Sequence, residues 1–384
     1  MSSISIIIPA YNRAHLIGET LRSLLMQTRP AEEIIVVDDG STDDTAEVAQ
    51  QTFLNWKAES GKRKAEKFPA GGQSSAVHSP SSVLRPSVPE FKVIRQANAG
   101  PAAARNTGFR ASRGEFIHFF DSDDLAAPNK QAVQLAALEN TGADVAIGPL
   151  VQGRFQGKLF AASNYVQYQH GLPPASHLIQ ALLTNWSFLP HAALFRRSIV
   201  EKAAGFPEDL FGTEDQFMFL ACLLAGARVV HTPETIEFYR LGDGGKITES
   251  KEWALRRLRE WARFLIKARE ACLKANLEPL RWFGYRRRLW ESLQDLNNAR
   301  CQDDHLMNQL RALSPAGMAA MLCHCHRQVE RWHGGFQQRL TGGRGHGSFR
   351  MGPMTLEQIL LLSQLGYAYA VPRRLPWFPA RRKG

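Results

Sequence analysis

Three carboxylates, Asp121, Asp123 and Asp124, fall within four residues and directly follow the apolar run Phe116–Phe120. Clustered acid at the end of a buried strand is costly, because like charges repel and partial burial removes the water that would screen them. A divalent cation relieves both problems. Mg²⁺ and Mn²⁺ take oxygen ligands, commonly one or two carboxylates together with substrate phosphates. In extended backbone the Asp-x-Asp spacing sends two carboxylates in a similar direction. The same residues would serve equally as a polar turn, with Asp124 capping the next helix. A second acid pair, Glu214-Asp215, opens an apolar helical pattern that runs to Leu224. Thr213 and Gln216 have the spacing of a capping box. At the second helical position Asp215 complements the dipole, which predicts a lowered pKa and an ionised carboxylate.

The elements that must position these groups are readable from periodicity. Ser3–Ala10 is a β-rich apolar run ended by proline, and Ala14–Gln27 places apolar residues at helical spacing. Glu33–Val37 is a second buried strand ending in the turn Asp38-Asp39-Gly40. Ser41 then predicts a helix N-cap, with Asp43 and Asp44 in the first turn. Residues 57–90, rich in Ser, Pro, Gly and Lys, predict a disordered insertion before the strand Phe91–Arg95. The turn Asn98–Pro101, the small-residue helix Ala102–Ser112 and the acid-ended strand follow. Lys130–Leu138 is helical, Ala143–Gly148 a further strand, Arg154–Phe160 a hairpin, Ala175–Thr184 a helix and Ala192–Phe195 a strand. Arg228–His231 and Thr235–Tyr239 complete this half. Strand and helix alternating in this way indicate an α/β fold with a mostly parallel open sheet flanked by helices. Ligands in such sheets bind beyond the carboxyl ends of the strands, where Tyr11, Asn12, Asp38, Asp39 and Asp121–Asp124 all fall.

Charge divides the chain of 384 residues. From Lys251 onward there are 24 lysines and arginines against 10 acids, so this part carries all of the net +11. Helical patterns fill it, at Glu252–Ala275, Arg286–Ala299, Pro315–Trp332 and Thr355–Gly366, before an aromatic and basic end at Arg373–Lys383. An anionic membrane surface or a polyanion is the partner such a charge suits. Nucleic acid is disfavoured, since no recognition motif accompanies the charge. The alternative is a solvated basic face whose aromatic residues pack on the first half. No apolar run reaches the length of a membrane span, and the segment Ile4–Pro9 is too short for a signal sequence. Five cysteines, all in the second half, argue for a reducing compartment. The expectation is a cytoplasmic protein, with peripheral contact at the inner face of the cell membrane as one use of the basic region. Cys323-His324-Cys325-His326 lacks the spacing of a tetrahedral zinc site.

Taken in order, PAYNR, VVDDGSTDDT, NAGPAAARNTG, GEFIHFFDSDD and GTEDQ resemble a family 2 glycosyltransferase of the GT-A fold, over residues 4 to 240. That resemblance implies an inverting transfer of a sugar from a nucleotide diphosphate to an acceptor hydroxyl with Mg²⁺ or Mn²⁺. The acceptor would be a glycan, a lipid-linked sugar or a cell-surface polysaccharide precursor. Together with the charge division, the reading is a catalytic domain over residues 1–248 and a helical basic region over 249–384. Pro9, Tyr11 and Asp39 would line the base pocket, with Asp39 accepting from the ring N–H of uracil first, thymine or guanine as alternatives. Asp121 would face the ribose or the metal, Ser122 would join the donor set, and Asp123 would be the main metal ligand. Arg105 would lie near the donor, and Asp215 would be the general base. The long insertion departs from the family core. So does the stretch after Tyr239-Arg240, where Lys246 stands in for the usual histidine and Gly242–Gly245 suggests a lid. Trp186 and His191 either face the acceptor or pack. Two other functions share these signals. A nucleotidyltransferase would need a Gly-rich basic loop after the first strand, which PAYNRAHLIG is not. A non-catalytic sugar- or lipid-surface binding module would have no use for Asp123 and Asp215.

Overall fold

The structure is a computed structural model that describes residues 2–67, 88–242, 251–341 and 354–370. Strand β1 (Ile4–Ala10) leads into α1 (Ile17–Leu25), β2 (Glu33–Asp39) into α2 (Thr45–Lys67), and β3 (Glu90–Gln96) into α3 (Pro101–Ala111). Then come β4 (Phe116–Phe119), the short β5 (Leu125–Ala126), α4 (Lys130–Thr141), β6 (Val145–Ile147) and the hairpin β7 (Leu150–Gln156) and β8 (Leu159–Gln167). After α5 (Leu178–Thr184), β9 (Ala193–Arg196) and α6 (Arg197–Lys202) lie α7 (Glu214–Leu224), β10 (Val229–His231) and β11 (Glu237–Arg240). The C-terminal part holds α8 (Lys251–Lys274), α9 (Phe283–Asn298), α10 (Asp304–Leu313), α11 (Gly317–Thr341), α12 (Leu356–Gln364) and β12 (Ala368–Ala370).

Seven strands form the main sheet in the order β10-β6-β9-β4-β1-β2-β3, parallel except for β9. Side chains alternate across it, as the pleat requires. Ile4, Ile6 and Ile8 of β1 pack with α1 and α2, while Ile7 faces the opposite core with Ile117, Phe119 and Phe195. Both faces are covered by helices, which is why β1 and β2 read as unbroken apolar runs rather than alternating ones. A second sheet, β12-β8-β7-β11-β5, begins with β5 directly after the acids. The acid segment 121–124 is therefore one of the passages between the two sheets.

Three local expectations are corrected. Residues 57–67 continue α2 instead of beginning a loop. Alanine, glutamate and lysine dominate this stretch, and extending a helix already nucleated costs little; residues 68–87 lie outside those described. Ser41 does not cap α2, which starts at Thr45; its hydroxyl accepts the backbone N–H of Asn12 at 2.9 Å. Thr213 stands at the N-cap of α7 without a capping bond, because the Gln216 amide is drawn instead to both backbone groups of Phe188.

The C-terminal helices are built onto the first half. Phe264, Leu265, Tyr285, Leu289 and Leu310 belong to the same apolar cluster as Leu182, Leu183 and Phe219. The short strand β12 adds to the edge of the second sheet beside β8, and Leu362 and Tyr367 pack with Phe160 and Phe238. Among the described residues no helix is long and apolar enough to cross a membrane.

Gly40 closes the turn after β2 at φ +76°, and a Cβ there would lie 2.7 Å from the backbone nitrogen of Asn98. Gly40→Ala is therefore expected to lower stability by about 1–3 kcal/mol. Urea unfolding would measure it. Because the turn is held to the 98–100 loop, loss of donor binding should accompany the loss of stability.

Candidate active site

The carboxyl ends of β4, β1 and β2 lie side by side, with Ile7 level with Phe119 and Ala10 level with Asp38. The loops that follow β1 and β2 are joined by polar contacts. Asn12, in the left-handed region at φ 52°, accepts the Thr42 N–H at 2.8 Å, and the Arg13 N–H donates to Thr45 Oγ1 at 2.7 Å. Asn tolerates this backbone better than most residues. Tyr11 is thereby left 42% exposed at the rim, with Pro9 part-buried behind it.

Asp39 is buried, and its carboxylate accepts from Gln96 Nε2 (2.7 Å) and from the backbone N–H of Ala99 (3.0 Å) and Gly100 (2.8 Å). It therefore pins the turn into α3. A carboxylate has about four acceptor positions, so a ring N–H can still be added to these bonds. Asp38 accepts the Ser41 N–H at 3.1 Å.

Beneath the cleft the acid segment is held from several sides. Arg105, on α3, is 7% exposed; its guanidinium bonds Asp121 at 2.9 Å and Glu214 at 3.1 Å. Burial works against its charge, but Asp121 and Glu214 outweigh it and raise its pKa. Arg105 thus bridges the two acid groups instead of presenting its head to the cleft. Arg13 Nε lies 3.6 Å from Asp123. Ser122 is buried and its carbonyl accepts from Thr20 Oγ1 at 3.0 Å. Asp124 is fully buried and accepts the Arg240 N–H at 2.8 Å, while Arg240 Nε donates to the Asp123 carbonyl at 2.9 Å. The Arg240 guanidinium lies over the Phe155 ring and reaches Glu19 at 2.6 Å. Lys246 and the glycines after Gly242 lie outside the described residues.

His191 is fully buried. Its Nδ1 bonds Glu237 and lies 3.5 Å from Asp124, and its Nε2 lies 3.7 Å from Asp121. Lys130 backs this group with its ammonium 3.2 Å from Glu237 Oε2, and both side chains are fully buried. Burial pushes the Lys130 pKa down, to about 7. Trp186 packs with Tyr168 and Phe219 in the core. The sequence signals Arg105, Asp121 and Asp215 separately. Arg13, His191, Glu237 and Lys130 carry no local pattern that marks them as partners of the acids. Of these, only Arg13, within PAYNR, and His191, ahead of β9, stand beside a feature the sequence marks.

Asp215 is the second residue of α7, partly exposed, with the Gln216 N–H donating to its Oδ1 at 2.7 Å. The expectation of a lowered pKa is overturned. Burial first, and then the neighbouring Glu214 carboxylate, push it up to about 8, against the opposing pull of Arg105. Helix-end charge is worth little beside desolvation. A carboxyl poised near neutrality suits proton abstraction from a weak acid.

The family model described as glycosyl transferase family 2 matches residues 5–67 and 81–203. An uncharacterized glycosyltransferase of Rickettsia conorii is 35% identical over 138 residues, covering 36% of this chain and 17% of that relative. The chain therefore spans about a sixth of the length of that relative. The glycosyltransferase EpsH of Bacillus subtilis is 28% identical over 248 residues, covering 62% of this chain and 61% of the relative. In fold, residues 1–349 of Staphylococcus aureus TarS align with a TM-score of 0.51 at 18% identity, over 92% of this chain and 96% of that one.

Proposed function

The chain belongs to glycosyl transferase family 2, and from that premise we propose an inverting transfer of a sugar from a nucleotide diphosphate donor to an acceptor hydroxyl. The observation that supports this reading is the Arg105 bridge, which ties Asp121 at the acid end of β4 to Glu214 of the α7 acid pair. Residues 1–248 would be the catalytic unit and 249–384 a region built onto it. The donor's base would lie between Pro9, Tyr11 and Asp39, with uridine diphosphate the first candidate and thymidine or guanosine diphosphate the alternatives. The acceptor would be a glycan, a lipid-linked sugar or a polysaccharide precursor.

A bond forms between the acceptor oxygen and the anomeric carbon while the bond from that carbon to the diphosphate oxygen breaks. Asp215 takes the acceptor proton as the attack proceeds, and its carboxyl must be ionised to do so. Attack from the side opposite the leaving group inverts the anomeric centre. The residues present fit a divalent cation. Oxygen and nitrogen atoms of Asp121, Asp124 and His191 lie within 4.8 Å of one another. Of the acids, Asp121 and Asp123 keep part of their side chains exposed, 27% and 11%, and these two would hold the ion from the cleft side. Bound Mg²⁺ or Mn²⁺ would act as a Lewis acid on the departing diphosphate. Arg13, beside Asp123, would be displaced toward the phosphates.

Calorimetry with a panel of nucleoside diphosphates, with and without Mn²⁺, tests this. One nucleotide should bind in a metal-dependent manner, and Asp123→Ala should weaken it by at least about tenfold, as expected for losing a carboxylate from a site of so few protein ligands. Binding indifferent to both metal and substitution would show that the acids serve structure alone.

A further inference from the structure

We propose that the outward face of α11 docks on an anionic lipid surface. Helix α11 packs on α9 through Cys323 and Arg327, with His324, His326 and Gln328 exposed along its flanks. Arg327 bonds Asp295 at 2.6 Å, and the His326 ring lies against Phe283 and accepts from Arg287 at 3.1 Å. Cys323 is buried on this side. The opposite side is apolar and open to solvent: Met318 is 77% exposed, Met321 61%, Leu322 54% and Val329 63%. With Cys325, also exposed, these positions recur at spacings of three, four and seven along one stripe. A helix on a protein surface ordinarily turns such a stripe toward the core. Contiguous exposed apolar surface of this kind marks an interaction site.

Charge selects the occupant. The region from Lys251 holds 24 basic residues against 10 acidic ones, and Arg300 and Arg311, ahead of α11, are exposed. A second copy of the same surface would bring like charge against like. An anionic bilayer offers the opposite sign to the arginines and an acyl boundary to the methionines, leucine and valine, the combination by which amphipathic helices lie in the interface. This inference is independent of the transfer chemistry, since none of these residues lies in the cleft.

Co-sedimentation of the full chain with vesicles tests it. Wild type should pellet with vesicles containing phosphatidylglycerol and not with phosphatidylcholine alone. Met318→Glu/Leu322→Glu/Val329→Glu should lower the apparent vesicle affinity by at least about tenfold, with an unchanged melting curve and unchanged nucleotide binding. Met321→Glu alone, the mildest change, should give a smaller loss in the same direction. Equal binding by the triple variant would overturn the proposal and assign the contact to basic charge alone. Absence of vesicle binding would overturn it too. If light scattering then showed a dimer that the substitutions dissociate, the stripe would belong to a second copy.

Discussion

Asp215→Asn should reduce the turnover of sugar transfer by about 10²–10⁴-fold, the range of a positioned general base, while making the protein more stable at alkaline pH. The two effects share one cause. A carboxyl whose pKa is raised to about 8 in the fold ionises more readily in the unfolded chain, near its ordinary value. Stability is therefore lost as pH climbs from about 4 through about 8. Asparagine keeps the shape and removes the charge, so the variant should melt above wild type at pH 8 and beyond and match it near pH 4. In wild type the turnover should rise with pH through about 8 and then level off, since the ionised form is the base. Scanning calorimetry at several pH values and a pH–rate profile measure both. Full activity in the variant would remove Asp215 from the chemistry. A lower melting temperature at pH 9 would mean that its carboxylate is held by the fold and not merely tolerated.

The second large effect concerns stability. Lys130→Met should destabilise by about 3–5 kcal/mol, the usual consequence of leaving one member of a buried pair alone. Glu237, fully buried, would then keep the His191 ring as a partner but lose the ammonium beside its Oε2. Adding Glu237→Gln should recover most of the loss. Glutamine retains an acceptor for the His191 ring while removing the charge. A double-mutant cycle in urea reads the coupling, and simple additivity of the two changes would show that the pair does not interact. Because His191 lies 3.7 Å from Asp121, the single variant should also weaken metal-dependent nucleotide binding, even though Lys130 never reaches the cleft.

What the sequence by itself determined is the local part. The strand and helix order from β1 to β4, the turns that close β1 and β2, the acid end of β4 and the acid pair at the start of α7 are all set by neighbours in the chain. Apolar period, turn chemistry and short ordered motifs report such features directly. The local reading strayed where one tendency competed with another. The Lys-rich start of the insertion continues α2, and the capping spacing at Thr213 yields to Gln216 binding Phe188. The three-residue strand β12 was beyond any periodicity, being too short to show one.

Tertiary structure alone decided how the acids are balanced. Arg105 meets Glu214 across 109 residues of chain, Arg240 meets Asp124 across 116, and His191 meets Glu237 across 46. None of these pairings has a local period. The ionisation of Asp215 follows the same logic. Its position in the helix predicted a lowered pKa, but burial depends on which residues the fold packs around it, and burial with the Glu214 carboxylate beside it outweighs the dipole. The outward apolar face of α11 was likewise hidden: a stripe of apolar residues reads as a core face in sequence, and only the packing of α9 against the other side turns it to solvent.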